Sequence, residues 1–169
     1  MDLKNKMKLR KLEKKDAPFM LEWMHDNEIA SNFRANFKEM TIDKVEVFIE
    51  NSYTESDQHY AVASDDDEYL GTISLKHIDT VNRCAEYAVC LRKCAQGTGA
   101  AEFATQRLFE IAFSNLRLHR VYLNVYTDNV KANRFYQKMG FLYEGCSRDC
   151  LLIDGKFKSL NWYVKLESE

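Results

Sequence analysis

From Gln96 to Ala101 the chain reads Gln-Gly-Thr-Gly-Ala-Ala, with a strand-like segment before it and a long amphipathic run after it. Two glycines one residue apart let the main chain turn tightly and bring bare N–H groups up to an anion. A helix that opens there adds the positive end of its dipole. The segment therefore reads as strand, anion cradle, helix, which commits this part of the chain to strands joined through helices. Taken alone, a Gly-x-Gly is equally an ordinary turn or helix start. One strand later comes a second block, Asn129 to Phe141 (NVKANRFYQKMGF), of which Asn129 to Met139 reads as a helix.

The rest of the chain extends this alternation. Lys8 to Glu13 alternates charged and apolar residues as an edge strand does, and Asp16-Ala17-Pro18 supplies an N-cap with proline in the first helical turn. Phe19, Met20, Trp23 and Met24 recur at helical spacing and mark a core-facing stripe, which Asp26, Asn27 and Glu28 interrupt. Thr41-Ile42-Asp43 starts a second helix through Val45, Phe48 and Ile49, after the polar and aromatic connection Asn32 to Phe37. His59 to Ala63 and Tyr69 to Ile78 form a hairpin whose acidic tip, Asp65 to Glu68, reads as solvated turn. Arg83 to Leu91 is a third strand, Glu102 to Asn115 a helix with Phe103, Leu108, Ile111 and Ala112 on its apolar side, Val121 to Tyr126 a strand and Asn129 to Met139 a helix. Phe141 to Leu152 and Phe157 to Leu166 make a terminal hairpin turned at Asp154-Gly155. No repeat or low-complexity linker divides the chain, so 1–169 is expected to be a single domain.

Charge and cysteine content narrow the function. With 169 residues, 46% of them hydrophobic and ten of them Phe, the chain can bury a substantial core. Its formal net charge of −2 gives no broad electrostatic footprint for a polyanion, so nucleic acid is not an expected partner, whereas a cationic substrate is tolerated. No stretch is long and apolar enough to cross a bilayer, and Met1 to Lys6 lacks the apolar core of a signal peptide, so no membrane association and a cytoplasmic location are expected. Five cysteines at 84, 90, 94, 146 and 150 contain no Cys-x-x-Cys pair. They point to reduced, mostly packed thiols rather than disulfides or a zinc site, and no metal is expected.

The two blocks, in this order and one helix and one strand apart, resemble motifs A and B of the GNAT superfamily of acyl-CoA N-acyltransferases. The nearest branch is the one that includes ribosomal-protein alanine, spermidine and nucleotide-amino-sugar N-acetyltransferases. The matching residues are Gln96, Gly97 and Gly99, then Leu118-His119-Arg120 opening a strand, then Asn129, Ala132, Arg134, Tyr136, Lys138, Gly140 and Phe141. The likeness spans nearly the whole chain, from Met7 to Leu12 through the Asp154-Gly155-Lys156 hairpin and the final strand. It implies an α/β (α+β) fold: a mixed central β-sheet with a splayed strand pair, flanked by about four helices.

The resemblance also implies roles. Acetyl-CoA, as acyl donor, would lie between the splayed strands Glu86 to Leu91 and Val121 to Tyr126. The main chain of Val89, Cys90 and Leu91 would bind its pantetheine arm, and the amides of Gln96, Gly97, Thr98, Gly99, Ala100 and Ala101 its pyrophosphate. Asn129 would touch the pantetheine or position the helix after it. An amine is protonated at neutral pH and must lose a proton before attack, while the departing thiolate gains one. Glu86 matches a position from which many relatives draw the amine's proton, and Tyr136 one that protonates the thiolate. As alternatives, Glu86 is a solvent-facing strand-end charge and Tyr136 a packing residue.

His25, near Trp23 and Asp26, stands where this branch builds part of its acceptor pocket, and the polar-aromatic loop with Phe33 and Phe37 is able to stack on or cover the acceptor. The carboxylates of Asp26 and Glu28 would attract its ammonium. His59, His77 and His119 read as structural. The acceptor is expected to be a primary amine, either a small one, such as an amino sugar on a nucleotide carrier or a polyamine, or a protein N-terminus, and a homodimer is compatible with the resemblance. Three departures stand out. Cys94 occupies a place usually held by arginine or glutamine, Lys93 one where proline is common, and Ser159-Leu160-Asn161 a stretch where this branch often has an acid. Phosphate binding would then rest on main-chain amides, helped by Gln96 or Lys93. A non-catalytic module that binds acyl-CoA as a sensor or with a partner is the alternative function.

Overall fold

The computed structural model describes residues 7–169, so the reading of Met1 to Lys6 lies outside the described residues. Seven strands form one sheet: β1 (Met7–Lys11), β2 (Gln58–Ser64), β3 (Tyr69–Asp79), β4 (Cys84–Leu91), β5 (Arg120–Tyr126), β6 (Leu142–Ile153) and β7 (Lys156–Leu166). Their order across the sheet is β1-β2-β3-β4-β5-β7-β6. β4 and β5 are parallel and every other neighbouring pair is antiparallel, so the sheet is mixed as expected. The helices are α1 (Ala17–Met24), α2 (Asn27–Ala30), α3 (Ile42–Glu50), α4 (Ala100–Phe109) and α5 (Val130–Lys138).

The parallel seam is where the fold opens. β4 and β5 pair only at Cys84 with Arg120, Ala85 with Val121 and Glu86 with Tyr122. Beyond that point β4 stays bonded to β3 as far as Leu91, opposite Gly71, and β5 stays bonded to β7 as far as Tyr126, opposite Leu160. Each strand is thus held from its outer side while the two inner edges part. The main-chain groups along those inner edges lack a strand partner, and they form a template for an extended, amide-bearing chain.

Several local features differ from the sequence expectation. α2 was not expected: the Asp26 side chain caps it by accepting the Glu28 N–H at 3.0 Å, turning the break in the apolar pattern into a helix start. Asp16 precedes α1 but does not cap it. Its carboxylate is 1% exposed and is taken by Arg10 at 2.7 and 2.9 Å and by the Glu13 N–H at 2.9 Å. The acidic tip of the β2–β3 hairpin is not simply solvated, because Asp67 pairs with Lys8, Arg10 and Lys15. α4 begins at Ala100 and gives way to a π-type segment, Glu110–Asn115, rather than running on as one α-helix.

The core is aromatic, but mainly through tyrosine. Of the ten Phe only Phe141 is buried, while Tyr60, Tyr69, Tyr87, Tyr126, Tyr136 and Tyr163 are. Against the sheet α4 presents Ala100, Ala104, Thr105 and Leu108, whose small side chains allow close approach. Phe103 and Ile111 sit only half-buried. The thiols are also less packed than expected. Cys90 is buried and Cys84 half-buried, but Cys94, Cys146 and Cys150 are exposed, the last two because β6 forms the sheet edge. The terminal hairpin turns at Asp154 and Gly155, both with positive φ, as expected.

Candidate active site

Where β4 and β5 part, a cavity of about 850 Å³ opens. Its lining brings together most of the residues selected from sequence: Glu86, Val89, Cys90, Leu91, Gln96, Gly97, Gly99, Ala101, Asn129 and Tyr136, with Phe33 and Phe37. Thr98 and Ala100 are not in the lining. The Thr98 hydroxyl bonds back to the Ala95 carbonyl at 2.6 Å, and the Ala100 side chain is buried against the sheet. His25 lies outside the cavity as well, with a ring nitrogen 3.1 Å from the Met40 carbonyl.

The glycine turn at one end has the geometry that an anion cradle requires. Gly97 and Gly99 have φ of 75° and 87°, and an added Cβ would meet nothing within 4 Å at either position. Glycine is used here for the left-handed backbone and to leave the approach open. The first main-chain bond of α4 is donated by Phe103 to Gly99 at 3.0 Å. Among the described residues, the amides from Gly97 to Glu102 have no protein acceptor and gather at the positive end of the helix. Gln96 reaches back toward the Leu91 carbonyl, and its side-chain oxygen accepts from Lys131 at 3.0 Å. Lys93 does not offer its charge to the turn, because it is paired with Asp26 at 3.1 Å and Glu28 at 2.7 Å. That pairing also occupies the two carboxylates expected to attract an ammonium.

Two groups able to exchange protons line the same cavity. Glu86 is placed at the last paired position of the β4–β5 seam. Its carboxylate, 14% exposed, lies 3.3 Å from the Lys76 amine and 3.5 Å from a His77 ring nitrogen, and accepts weakly from Asn124 at 3.5 Å. Tyr136 comes from the buried face of α5, wedged edge-on between Tyr87 at 5.8 Å and Phe141 at 5.9 Å. The Tyr87 hydroxyl is held by Thr105 at 2.8 Å, whereas that of Tyr136 has no hydrogen-bond partner among the described residues. Burial, reinforced by Cys90, raises the Tyr136 pKa well above that of an ordinary phenol. The group therefore stays protonated and is a donor rather than a base at neutral pH.

Asn129 serves as the α5 N-cap, accepting the Ala132 N–H at 3.2 Å, and its amide donates to Asn32 at 3.2 Å, tying the Asn32–Phe37 loop to that helix. Phe33 and Phe37 pack on Trp23 at centroid distances of 5.8 and 5.3 Å, so the loop's aromatic wall is braced by α1. Asn161 is directed elsewhere, donating to Asn133 at 2.9 Å, while Leu160 lines the cavity. Sequence reasoning passed over Arg34, Lys76, Asn124, Tyr126 and Lys131, all of which line the cavity. Lys76 enters through the β3–β4 register, which sets it opposite Glu86. Among the described residues no group of three or more His, Cys, Asp or Glu side chains comes together as a metal site would need, and no helix is long and apolar enough to cross a membrane.

Comparison with known proteins agrees with this geometry. The profile of the family described as an acetyltransferase (GNAT) domain matches residues 6–142. A spermidine N(1)-acetyltransferase of Vibrio cholerae is 25% identical over 167 residues, 99% of this chain and 96% of that protein. A ribosomal-protein-serine acetyltransferase of Escherichia coli is 28% identical over 101 residues, 60% of this chain and 56% of its own length. Among solved structures, the spermidine N-acetyltransferase of Vibrio cholerae in complex with CoA and spermine superposes with a TM-score of 0.87 at 25% identity, covering 97% of both chains.

Proposed function

The chain belongs to the GNAT acetyltransferase family and is an acetyl-CoA-dependent N-acetyltransferase, and we propose that it acetylates a primary amine by direct attack within a ternary complex. The observation that carries the reading is the convergence of the Glu86 carboxylate and the neutral Tyr136 hydroxyl on one cavity at the seam where β4 and β5 part. The donor end suits the cosubstrate: unpartnered amides at a helix N-terminus for the pyrophosphate, and an unpaired inner strand edge at Val89 to Leu91 for the amide-bearing arm. Lys131 adds a cation beside that turn.

Acetyl-CoA supplies an activated thioester, and the residues of the chain do the rest. Glu86 takes the ammonium proton, directly or through water, and Lys76 and Asn124 keep its carboxylate oriented. Tyr136 holds at its Oη the proton that the leaving sulfur needs. Phe33 and Phe37 cover the acceptor, and Asn129 fixes the loop that carries them.

The test is a screen of acetyl-CoA consumption against polyamines, amino sugars, aminoglycosides and short peptides, followed by Tyr136→Phe and Glu86→Gln on the amine that turns over. Tyr136→Phe removes only a hydroxyl and is expected to lower kcat by about ten- to a thousandfold with little change in acetyl-CoA affinity. Full activity in both variants on a chemically limited substrate would remove both groups from the chemistry.

A further inference from the structure

The charges of the cavity are unevenly matched. Every carboxylate that lines it already has a cation: Glu28 is held by Lys93 at 2.7 Å, Glu86 by Lys76 at 3.3 Å, and Glu102 by Lys138. Two lining cations, Lys131 and Arg34, have no carboxylate partner among the described residues. Lys131 bonds Gln96 at the glycine turn, where a pyrophosphate accounts for it. Arg34 bonds the Asn124 side-chain oxygen at 3.1 Å, and the amide of the same Asn124 reaches toward Glu86. The guanidinium therefore stands one side chain away from the proposed base, with a single N–H used and the rest of its planar fork open.

This arrangement is poorly suited to a polycation. A polyamine that has given up one proton still carries further ammonium groups, and each needs a carboxylate that the lining does not have to spare. An unpaired arginine in the same wall adds like-charge repulsion. An anionic group is suited to it, because the guanidinium fork matches phosphate or carboxylate in two parallel hydrogen bonds. The neighbouring wall reinforces the reading. Tyr126, 6% exposed and close enough to Arg34 to feel its charge, lines the same end with its hydroxyl buried and unpartnered. Phe33, next to Arg34 in the chain and braced on Trp23, adds an apolar surface to the lining of the same cavity.

We propose that the acceptor is a primary amine that also carries an anionic group, a phosphate or a carboxylate, and that Arg34 binds this group while the amine lies at Glu86. This deepens the reading of the site as an N-acetyltransferase and rests on it. Arg34 is then the specificity-determining residue of the acceptor end, and the occupant differs from the polyamine named for the Vibrio cholerae relative.

Two readouts on the full chain, wild type and Arg34→Gln, with Arg34→Lys as the conservative control, test it. In the first, CoA is saturating so that the glycine turn is filled, and thermal shift is followed with a nucleoside diphosphate, O-phosphoethanolamine and a free amino acid. The wild type is expected to be stabilised by at least one of the three, Arg34→Gln by none, and Arg34→Lys to an intermediate degree. In the second, kcat/KM is compared within matched pairs: phosphoethanolamine with ethanolamine, a phosphorylated amino sugar with the free sugar, and an amino acid with its amide, with spermidine as the polycation arm. The anionic member is expected to be favoured by about tenfold or more in the wild type, and the ratio to collapse toward one in Arg34→Gln. The pair that shows the preference tells phosphate from carboxylate.

Stabilisation equal in wild type and Arg34→Gln, absence of stabilisation by all three probes, or a preference for spermidine or the neutral members overturns the proposal while leaving the acetyltransferase reading intact. Arg34-dependent binding of an anionic probe, with no acetyl transfer to any amine, would instead overturn the reading of the site as an N-acetyltransferase acceptor pocket.

Discussion

Gly99 shows how a single residue can be legible in sequence for the right reason. Its φ of 87° is open to glycine and strained for a side chain, and a Cβ there would meet nothing in the protein itself. The loss on substitution falls on the ligand and on the backbone rather than on packing. Gly99→Val is thus expected to weaken CoA binding by about tenfold or more, read by calorimetry, in a protein that still melts cooperatively. Unchanged affinity would detach the turn from the pyrophosphate. Tyr136 and Glu86 were selected because they lie in the motif and in the strand that leads to it, and both line the cavity. Arg34 and Asn124 were not. They come from a loop and from β5, ninety residues apart in sequence, and meet only through tertiary packing. His25 was selected by its sequence neighbours, but its position at the end of α1 gives its ring the Met40 carbonyl instead of the cavity.

At the scale of elements, β3 and β4 come very close at the end of β4 that is proposed to bind the cofactor, and Gly71 makes this possible. A Cβ there would stand 2.4 Å from the Cys90 carbonyl oxygen and 2.8 Å from Leu91 Cα, both main-chain atoms that cannot turn aside. Gly71→Ala should destabilise the fold by about 2 kcal/mol or more. It should also weaken acetyl-CoA binding, because relief of the clash displaces the strand edge at Cys90 and Leu91. Thermal melts and calorimetry on the one variant check both, and a fully stable protein with normal affinity would contradict the packing described.

His59 on β2 offers a pH test of the same sheet. Burial lowers its pKa, with Lys76 acting in the same sense and Asp57 opposing, while its ring meets Ser74 at 2.7 Å and the edge of Phe48. A folded-state pKa below the unfolded value means that the unfolded chain takes up the proton first. Stability is intact above about pH 6.5 and falls as the pH drops from there toward the folded pKa. The wild-type melting temperature should fall more steeply than that of His59→Gln between about pH 7.5 and 5.5, and parallel curves would show that His59 contributes nothing. The strands and the long helices were legible from period and caps, as with Thr41, which accepts the Lys44 N–H at the start of α3. The four-residue α2 and the π-type end of α4 were not, because one turn is too short to show a period and the widening of a helix leaves no compositional mark.

For the molecule as a whole, the two motifs and the strand and helix order were enough to anticipate a mixed sheet that splays at its parallel seam. Composition did not tell which aromatics fill the core: tyrosines take most of the buried aromatic places, while most Phe residues pack half-buried against it. The seam gathers the groups that the proposed function needs: one opening is lined by an unpaired strand edge, a helix N-terminus, a carboxylate and a buried phenol. If both substrates must be present together, initial rates measured while acetyl-CoA and the amine are varied against each other will give intersecting lines in double-reciprocal form, and the intact protein will gain no mass on incubation with acetyl-CoA alone. Parallel lines, with an acetylated protein recovered in the absence of amine, would contradict direct transfer and replace it with a covalent intermediate on the enzyme.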